Sequence, residues 1–313
     1  VLYVLLLLSI VLAVLAGLTV VVLRRRARRR AEETRQVEAE PVELDRASTA
    51  DDGVLVPPPE VALIPVPHIQ PVVLVHGLLG FQHVQLLGRR IVYFRGVAEL
   101  LAERGVTVYS VKLPPTSSVP ERAQALTDYI ESLPCREVNL IAHSMGGLDS
   151  RYALSRLGLH QRVASLTSIA TPHRGTPLAD IAAWMGAAGP VRAMRSLVGR
   201  VGLDTEAVDW LTTRRTKELN AELSDIGDVY YGCVVGSAPR LRLFGNPVLL
   251  SGYWYIASRA GANDGMVPAT SQYWGEIIDE VAADHWAQIG WSSYYDARQL
   301  YTRIIEMLRL RGL

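Results

Sequence analysis

The chain has 313 residues, of which 49% are apolar, and its 32 basic and 31 acidic residues leave a formal net charge of +1. This length is sufficient for one large α/β domain with an appendage. Because the charges nearly cancel beyond the first 60 residues, nothing indicates a nucleic-acid-binding surface, and we expect no nucleic-acid partner.

The first 23 residues are almost entirely Leu, Val, Ile and Ala. As a helix rising about 1.5 Å per residue they would span about 34 Å, which matches a hydrocarbon core of about 30 Å. A cleaved signal peptide is the alternative, but its apolar region is shorter, about 7 to 15 residues. Residues 1–23 are therefore predicted to form an uncleaved, single-pass transmembrane anchor.

Six arginines within Arg24–Arg30 follow this apolar run directly. The positive-inside tendency places such a block, and with it the rest of the chain, on the cytoplasmic side, and the arginines could also bind anionic headgroups. A solvated helix end is the alternative interpretation. Residues 31–64 are acidic and then proline-rich, without apolar periodicity, so residues 24–64 are predicted to form a basic juxtamembrane block and a disordered linker.

Strands and helices alternate in the remaining domain, residues 65–313. The fully apolar run Val72–Val75 predicts a buried strand that delivers the loop of His76 and Gly77 to the edge of a sheet. The elements predicted after it are a helix over Ile91–Arg104, a strand in residues 106–114 and a helix over Glu121–Leu133. This alternation is typical of a parallel, doubly wound sheet.

The stretch Val138–Leu148, VNLIAHSMGGL, reads as a strand, a tight turn and a helix with Ser144 at the apex. The small residues Ala142 and Gly146, two positions on either side, would let the strand and the helix approach closely while the serine adopts strained backbone angles. Such a turn is typical of the nucleophile elbow of α/β-hydrolases, although Ala142 stands where the usual pattern has Gly.

Further apolar strands are predicted over Val163–Ala170 and Val229–Gly236, and an amphipathic helix over Tyr294–Leu310. Between the two strands, about residues 176–215 are rich in Ala, Trp, Met and Leu. This insert is interpreted either as a mobile apolar lid over the site or as helices packed on the core. Two cysteines, Cys135 and Cys233, are expected to be independent thiols rather than a disulfide.

A serine nucleophile needs a base and a carboxylate that orients this base, and in this fold they follow in the order Ser, acid, His. His285 is the only histidine in the carboxyl-terminal region where the base is expected, and His173 is the serious rival. The remaining histidines are His68, His76, His83, His143 and His160.

For the acid, Asp264 in an Asn-Asp-Gly turn is favoured over Asp279 and over Asp284, which is adjacent to the predicted base. The predicted triad is thus Ser144, Asp264 and His285. The backbone N–H groups of Leu78, in the loop after the first strand, and of Met145, just after the nucleophile, are the predicted oxyanion donors.

Several ordered motifs, namely PVVLVHGLLG, VNLIAHSMGGLDSRY, IATPHRGTPLAD, NDGMVP and the late DHW, resemble those of the bacterial true lipases of the Pseudomonas and Burkholderia type, from about Pro71 to the end. AHSMGG is also similar to the elbow of the small Bacillus lipases. The resemblance implies an α/β-hydrolase fold with an inserted lid and hydrolysis of acylglycerols or other carboxylic esters, with the five residues above in the same roles.

One departure concerns calcium. The resemblance implies a calcium-binding Asp two residues beyond the catalytic histidine and a Gln four residues later, but this chain has Ala287 and Trp291 there. Neither side chain supplies an oxygen ligand. We therefore expect no metal and no cofactor at this place.

A lipid or acyl ester is the expected substrate. An esterase or thioesterase for soluble or protein-linked acyl groups remains an alternative, as does a non-catalytic, membrane-anchored binding protein.

Overall fold

The computed structural model describes residues 69–81, 83–86, 89–187 and 206–313. The predicted anchor, the arginine block and the predicted linker lie outside these residues. Within the described part of the chain, no helix is long and apolar enough to cross a membrane. Pro67–Leu313 forms one compact unit.

The strands are short and follow the predicted apolar runs closely where they are buried. They are β1 (Val72–Val75), β2 (His83–Leu86), β3 (Arg89–Val92), β4 (Val108–Ser110), β5 (Val138–His143), β6 (Val163–Ile169), β7 (Tyr230–Gly236) and β8 (Glu276–Val281).

Helices follow β3 and each later strand along the chain. They are α1 (Val97–Glu103), α2 (Val119–Glu131), α3 (Met145–Arg156), α4 (Pro177–Ala187), α5 (Glu206–Trp210), α6 (Thr213–Glu222), α7 (Pro247–Ala260), α8 (Ala269–Gln272) and α9 (Ala297–Leu310), with 3-10 turns at Leu159–Arg162, Arg240–Gly245 and Ala287–Ile289.

The main sheet has six strands in the order β4-β1-β5-β6-β7-β8, and every neighbouring pair is parallel. From β1 the chain moves outward to β4, and from β5 it moves the other way toward β8. The direction in which the chain adds strands therefore reverses between β1 and β5. At such a point the loops after the two strands lead away from each other and open a crevice. The predicted parallel, doubly wound sheet is confirmed, and Leu78 and Ser144 both follow strands at this switch point.

Alternating side chains of the central strands bury two separate cores. On β1, Val72 and Leu74 pack in the core that includes α1 and α9, whereas Val73 and Val75 pack with α2 and α3. Full burial of one such side chain contributes about 1.5–3 kcal/mol. Because both faces of the sheet are covered, β1 reads as a continuous apolar run.

The helix predicted over Ile91–Arg104 is shorter in the structure, where it begins only at Val97. Residues up to Val92 belong to β3, which pairs with β2 in a separate antiparallel hairpin, and α1 begins at Val97 after Gly96 in a left-handed conformation (φ 71°). The apolar residues at the start of this stretch had suggested helical spacing. The helix at the end of the chain begins later than predicted, at Ala297, because the Asp296 side chain caps it.

Two elements were not predicted from the sequence. Helix α7 occupies a stretch that reads only as a short apolar run before Asp264, and β8 is an edge strand with the mostly exposed sequence EIIDEV. An edge strand of this kind lacks the apolar pattern of a buried one.

The ends of the predicted insert are tied together. The Thr176 N–H donates to the carbonyl of Leu211 (3.0 Å), and the Asp180 carboxylate accepts the N–H and hydroxyl of Thr213 (2.8 and 2.9 Å). Ala179 and Leu211 pack in the same core cluster as the elbow helix. The described flanks of the insert are thus core-packing helices, while residues 188–205, on which a mobile lid would depend, lie outside the described residues.

Cys135 and Cys233 are both free thiols, as predicted. Cys135 is partly buried and Cys233 is fully buried within β7.

The first prediction concerns the close contact between α3 and β1. A Cβ atom at Gly146 would lie 2.7 Å from the carbonyl oxygen of Val75, a backbone atom that cannot easily move, whereas one at Gly227 would meet nothing within 4 Å. We expect Gly146→Ala to lower the free energy of unfolding by about 1–3 kcal/mol. Urea unfolding followed by circular dichroism measures this change. Gly227→Ala is the matched control, and equal loss in both variants would contradict the packing argument.

Candidate active site

Ser144 lies on the sharp turn between β5 and α3, with φ 57° and ψ −129°. These angles are strained for a residue with a side chain. The Ser144 N–H donates to the carbonyl of Ile169 on β6 (2.9 Å), which fixes the turn to the neighbouring strand. Ser144 itself is only 9% exposed, so its hydroxyl lies at the floor of the crevice.

The structure brings the three predicted triad side chains together. The Ser144 hydroxyl lies 3.0 Å from Nε2 of His285, and Nδ1 of His285 lies 2.8 Å from Oδ2 of Asp264. Because a carboxylate only accepts, the proton of the imidazole is assigned to Nδ1, which leaves Nε2 free to accept the serine proton. This arrangement can deprotonate the serine as it attacks a carbonyl carbon.

Asp264 is fully buried in the loop after α7. Its Oδ1 accepts the N–H groups of Met266 (2.9 Å) and Val267 (2.7 Å), so that Oδ2 is held toward the imidazole. The N–H of His285 also donates to the Asp264 carbonyl (2.9 Å). Backbone and side chain therefore join the acid loop to the base loop.

The rival base His173 has a different place. Its ring stacks on Trp274, with centroids 5.2 Å apart, and its Nε2 contacts the hydroxyl of Ser168 (3.0 Å). Burial lowers the pKa of His173 well below its usual value. His173 is thus a neutral, buried side chain engaged with a different serine.

The rival acids are also engaged elsewhere. Asp284 accepts the N–H groups of Trp286 and Ala287 (2.9 and 2.8 Å) and the hydroxyl of Tyr294 (2.8 Å), so it caps the turn that follows the base. Asp279 pairs with Arg303 at the surface.

The two predicted oxyanion donors border the nucleophile. A Cβ atom at Gly77 would lie 2.7 Å from that of Ser144, so the loop after β1 lies directly against the serine. The N–H of Met145 opens α3, and within the described residues neither it nor the Leu78 N–H has a hydrogen-bond acceptor. Both donors are available to a developing oxyanion.

A family model described as the alpha/beta hydrolase fold matches residues 70–289. The chain belongs to the α/β-hydrolase family.

The predicted resemblance to bacterial lipases is confirmed as well. A triacylglycerol lipase of Vibrio cholerae is 40% identical over 116 residues, which are 36% of this chain and 35% of the relative. One of Burkholderia plantarii is 38% identical over 117 residues, 35% of this chain and 31% of the relative. The match thus spans about a third of each bacterial relative.

More distant proteins match over a larger share. Triacylglycerol lipase 2 of Saccharomyces cerevisiae is 28% identical over 258 residues, 70% of this chain and 74% of the relative. The crystal structure of a mature Bacillus licheniformis lipase superimposes with a TM-score of 0.61 at 23% identity, covering 78% of this chain and 95% of the lipase. This structural likeness establishes the fold alone.

Arg122 on α2 holds the loop after β1, which carries the candidate oxyanion donor Leu78. Its fully buried guanidinium donates to Oδ2 of Asp149 on α3 (2.8 Å), to the Pro114 carbonyl (2.6 Å) and to the His76 carbonyl (2.8 Å). Burial raises the pKa of Asp149 to about 6, against the opposing effect of Arg122. Removing one partner of such a buried pair typically costs about 3–5 kcal/mol.

His76, the first residue after β1, fixes the same loop from within. Its Nε2 accepts the Leu113 N–H (3.0 Å), so Nδ1 carries the proton and donates to the Gly77 carbonyl (2.9 Å). Burial lowers the pKa of His76 to about 4, which keeps the ring neutral near pH 7. His76 therefore orients the Gly77–Leu78 peptide group, which carries the Leu78 N–H.

A chain of hydrogen bonds behind the elbow was not predicted from the sequence. The Gly77 N–H donates to the hydroxyl of Tyr93 (3.2 Å), this hydroxyl donates to Nδ1 of His143 (2.8 Å), and Nε2 of His143 donates to the carbonyl of His285 (3.0 Å). Burial lowers the pKa of His143 well below its usual value, so the ring is neutral. These hydrogen bonds link the loop after β1 to His285, the candidate base.

The two positions of the expected calcium site have other contacts. Ala287 is buried in the 3-10 turn after the base, and the indole N–H of Trp291 donates to the carbonyl of Tyr93 (2.7 Å). Among the described residues, no group of three or more His, Cys, Asp or Glu side chains could hold a metal ion. The absence of calcium at this place stays a prediction.

The second prediction tests the Tyr93 hydroxyl as a positioning group. In Tyr93→Phe, the Gly77 N–H and Nδ1 of His143 both lose their partner, so the loop after β1 and the base are less well oriented in the transition state. We expect kcat for a p-nitrophenyl ester to fall about tenfold while KM changes less than about twofold.

Tyr301→Phe is the matched control, because it also removes a fully buried hydroxyl, one that has no hydrogen-bond partner within the described residues. Its kcat should stay within about twofold of wild type. If Tyr93→Phe raised KM and left kcat unchanged, Tyr93 would act on substrate binding instead.

Proposed function

We propose that this chain is a serine carboxylic-ester hydrolase whose favoured substrates are triacylglycerols and related lipid esters. The observation that carries the proposal is the hydrogen-bonded series from Ser144 through His285 to Asp264, at 3.0 and 2.8 Å, on a strained elbow. The substrate class is inferred from the relatives, which are named triacylglycerol lipases in bacteria and yeast.

In the first half of the reaction, Oγ of Ser144 attacks the ester carbonyl carbon while Nε2 of His285 accepts its proton. Asp264 stabilises the imidazolium that forms. The N–H groups of Leu78 and Met145 donate to the oxyanion, and each such donor can contribute about 3–4 kcal/mol in the transition state. The intermediate then expels the alcohol, which takes the proton from His285, and leaves an acyl-serine.

In the second half, water attacks the acyl-serine. His285 accepts a proton from this water, the same two N–H groups stabilise the second oxyanion, and collapse returns the proton to Ser144 and releases the carboxylic acid. The overall reaction consumes one ester and one water and yields an alcohol and an acid. No step requires a metal or a cofactor.

The third prediction tests the nucleophile. We expect Ser144→Ala to lower kcat on p-nitrophenyl esters by at least about 10⁴-fold and to abolish labelling by a fluorophosphonate probe. Ser150→Ala is the matched control on the same helix, because its hydroxyl donates only to the Gly146 carbonyl (2.7 Å) and should be dispensable for the reaction. Labelling that persisted in Ser144→Ala would identify another nucleophile.

Hydrolysis of p-nitrophenyl esters also distinguishes a lipase from an esterase or thioesterase. Rates are compared across acyl chain lengths, below and above the concentration at which each ester forms micelles. A lipase should prefer the aggregated long-chain esters, whereas a preference for monomers would favour an esterase or thioesterase. A chelator added in parallel should leave the rate unchanged, and a loss restored by calcium would contradict the interpretation of Ala287 and Trp291.

The membrane setting is part of the proposal. Residues 1–23 would anchor the chain, and the arginines of residues 24–30 would keep the hydrolase domain on the cytoplasmic side. The fourth prediction is that the full chain stays in the membrane pellet after alkaline carbonate extraction and that protease added outside sealed cells does not digest it. Release into the supernatant would contradict the anchor, and digestion from outside would contradict the orientation.

A further inference from the structure

The segment between β7 and the acid loop has an unusual charge pattern. No Asp or Glu occurs from Val229 to Asn263, whereas Arg240, Arg242 and Arg259 fall within it. The segment forms the 3-10 turn Arg240–Gly245 and helix α7, which pack on each other. Their exposed side chains at and beside the turn are here named the basic-aromatic platform: Arg240, Leu241, Arg242, Phe244 and Trp254.

The platform exposes large apolar side chains. Leu241 is 74% exposed, Phe244 is 65% exposed and Trp254 is 51% exposed, although Leu243 and Leu249 beside them are fully buried. The buried leucines hold the turn and the helix on the domain, so the exposed residues are not needed for that contact. Several large apolar side chains exposed on one surface mark a binding site for an apolar partner.

The two arginines of the platform lie beside aromatic rings instead of carboxylates. The guanidinium of Arg240 lies 5.2 Å from the centroid of the Trp254 ring, and that of Arg242 lies 5.8 Å from the Tyr294 ring. In the described part of the chain, neither arginine forms an ion pair with an Asp or Glu. Their charges are therefore free to meet an anionic partner.

The acidic side chains of the acid loop, the base loop and α4 do not cancel this charge at the surface. Asp264 is fully buried, Asp284 is 6% exposed and bonded to backbone N–H groups, and Asp180 on the neighbouring α4 is bonded to Thr213. The platform is consequently both apolar and cationic.

The platform lies at the catalytic edge of the sheet. It follows the carboxyl end of β7, which is parallel to β5 and therefore ends at the same edge as Ser144. On one side, α7 packs on the loop that carries Asp264, since a Cβ at Gly252 would collide with the carbonyl of Gly265. A partner bound to the platform would thus lie beside the crevice.

We propose that the basic-aromatic platform docks the hydrolase domain onto an anionic lipid bilayer. Phe and Leu side chains supply apolar surface, Trp prefers the interface between acyl chains and headgroups, and arginines extend to lipid phosphates. The unpaired positive charge favours an anionic membrane over a neutral one and over a protein surface without excess negative charge. The proposal deepens the proposed function, on which it rests for the lipid substrate, by naming the surface through which this substrate is met.

The fifth prediction uses an environment-sensitive fluorophore on the full chain. Phe244→Cys and Leu310→Cys are each labelled in a Cys135→Ser, Ser144→Ala background, so that the half-buried thiol does not react and no lipid is hydrolysed. Leu310 is the matched control, because it is an exposed apolar residue (89%) at the end of α9, outside the platform. Vesicles contain phosphatidylcholine alone or an equimolar mixture with phosphatidylglycerol.

We expect the label at position 244, and not that at 310, to brighten and shift to the blue with the anionic vesicles. Adding Arg240→Gln or Arg242→Gln should each lower the docking equilibrium about fivefold, since an arginine near such a surface is worth about 1 kcal/mol. The predicted anchor is present in every variant, so tethering alone would not distinguish the two labels.

Equal responses of the two labels, or equal responses to neutral and anionic vesicles, would overturn the proposal. A blue shift without vesicles that grows with protein concentration would assign the surface to a second copy of the chain and would also overturn it. The fluorescence readout does not require ester hydrolysis. Docking without ester hydrolysis by the wild-type chain would therefore contradict the proposed function alone, and hydrolysis without docking would contradict only the platform.

Discussion

The site depends on the close contact between the first turn of α3 and the end of β1. Gly146 faces the carbonyl oxygens of Val75 and His76, where a Cβ would lie 2.7 and 3.0 Å away. Because no side chain intervenes, the turn that strains Ser144 can lie directly against the loop that carries the Leu78 N–H. The nucleophile and the candidate oxyanion donor Leu78 follow the neighbouring strands β5 and β1, and this contact is where the segments after the two strands meet.

Much of this arrangement could be predicted because its determinants are local. The elbow needs only an apolar strand, a serine and small flanking residues, all within Val138–Leu148, and the fold then requires an acid and a base in a fixed order along the chain. Buried strands such as β5 were predictable for the same reason, since both faces of the sheet are covered and four of the six residues of this strand are apolar. Asp264 was chosen for its turn, and the structure places its carboxylate 2.8 Å from the imidazole.

What the sequence could not indicate depends on contacts between distant segments. Arg122 belongs to no motif in the sequence, and only the folded chain brings it to Asp149 and the loop after β1. Tyr93 and His143, 50 residues apart, carry no motif for their hydrogen bond, although a histidine next to the nucleophile was a visible signal. Strand β8 was missed because an exposed edge lacks the apolar pattern on which strand prediction depends.

The glycine at position 252 has a consequence for protein engineering. Helix α7 presents an inward set of residues, of which Gly252 touches the carbonyl of Gly265 in the acid loop, and an outward set of exposed residues such as Trp254, whose ring lies beside Arg240 of the neighbouring turn. A designer could therefore rewrite the outward set to change where the enzyme binds without moving the carboxylate of Asp264. Substitutions at the same outward positions during evolution would also leave Asp264 in place. Related hydrolases can therefore differ in the surface to which they bind while they share one geometry of acid, base and nucleophile.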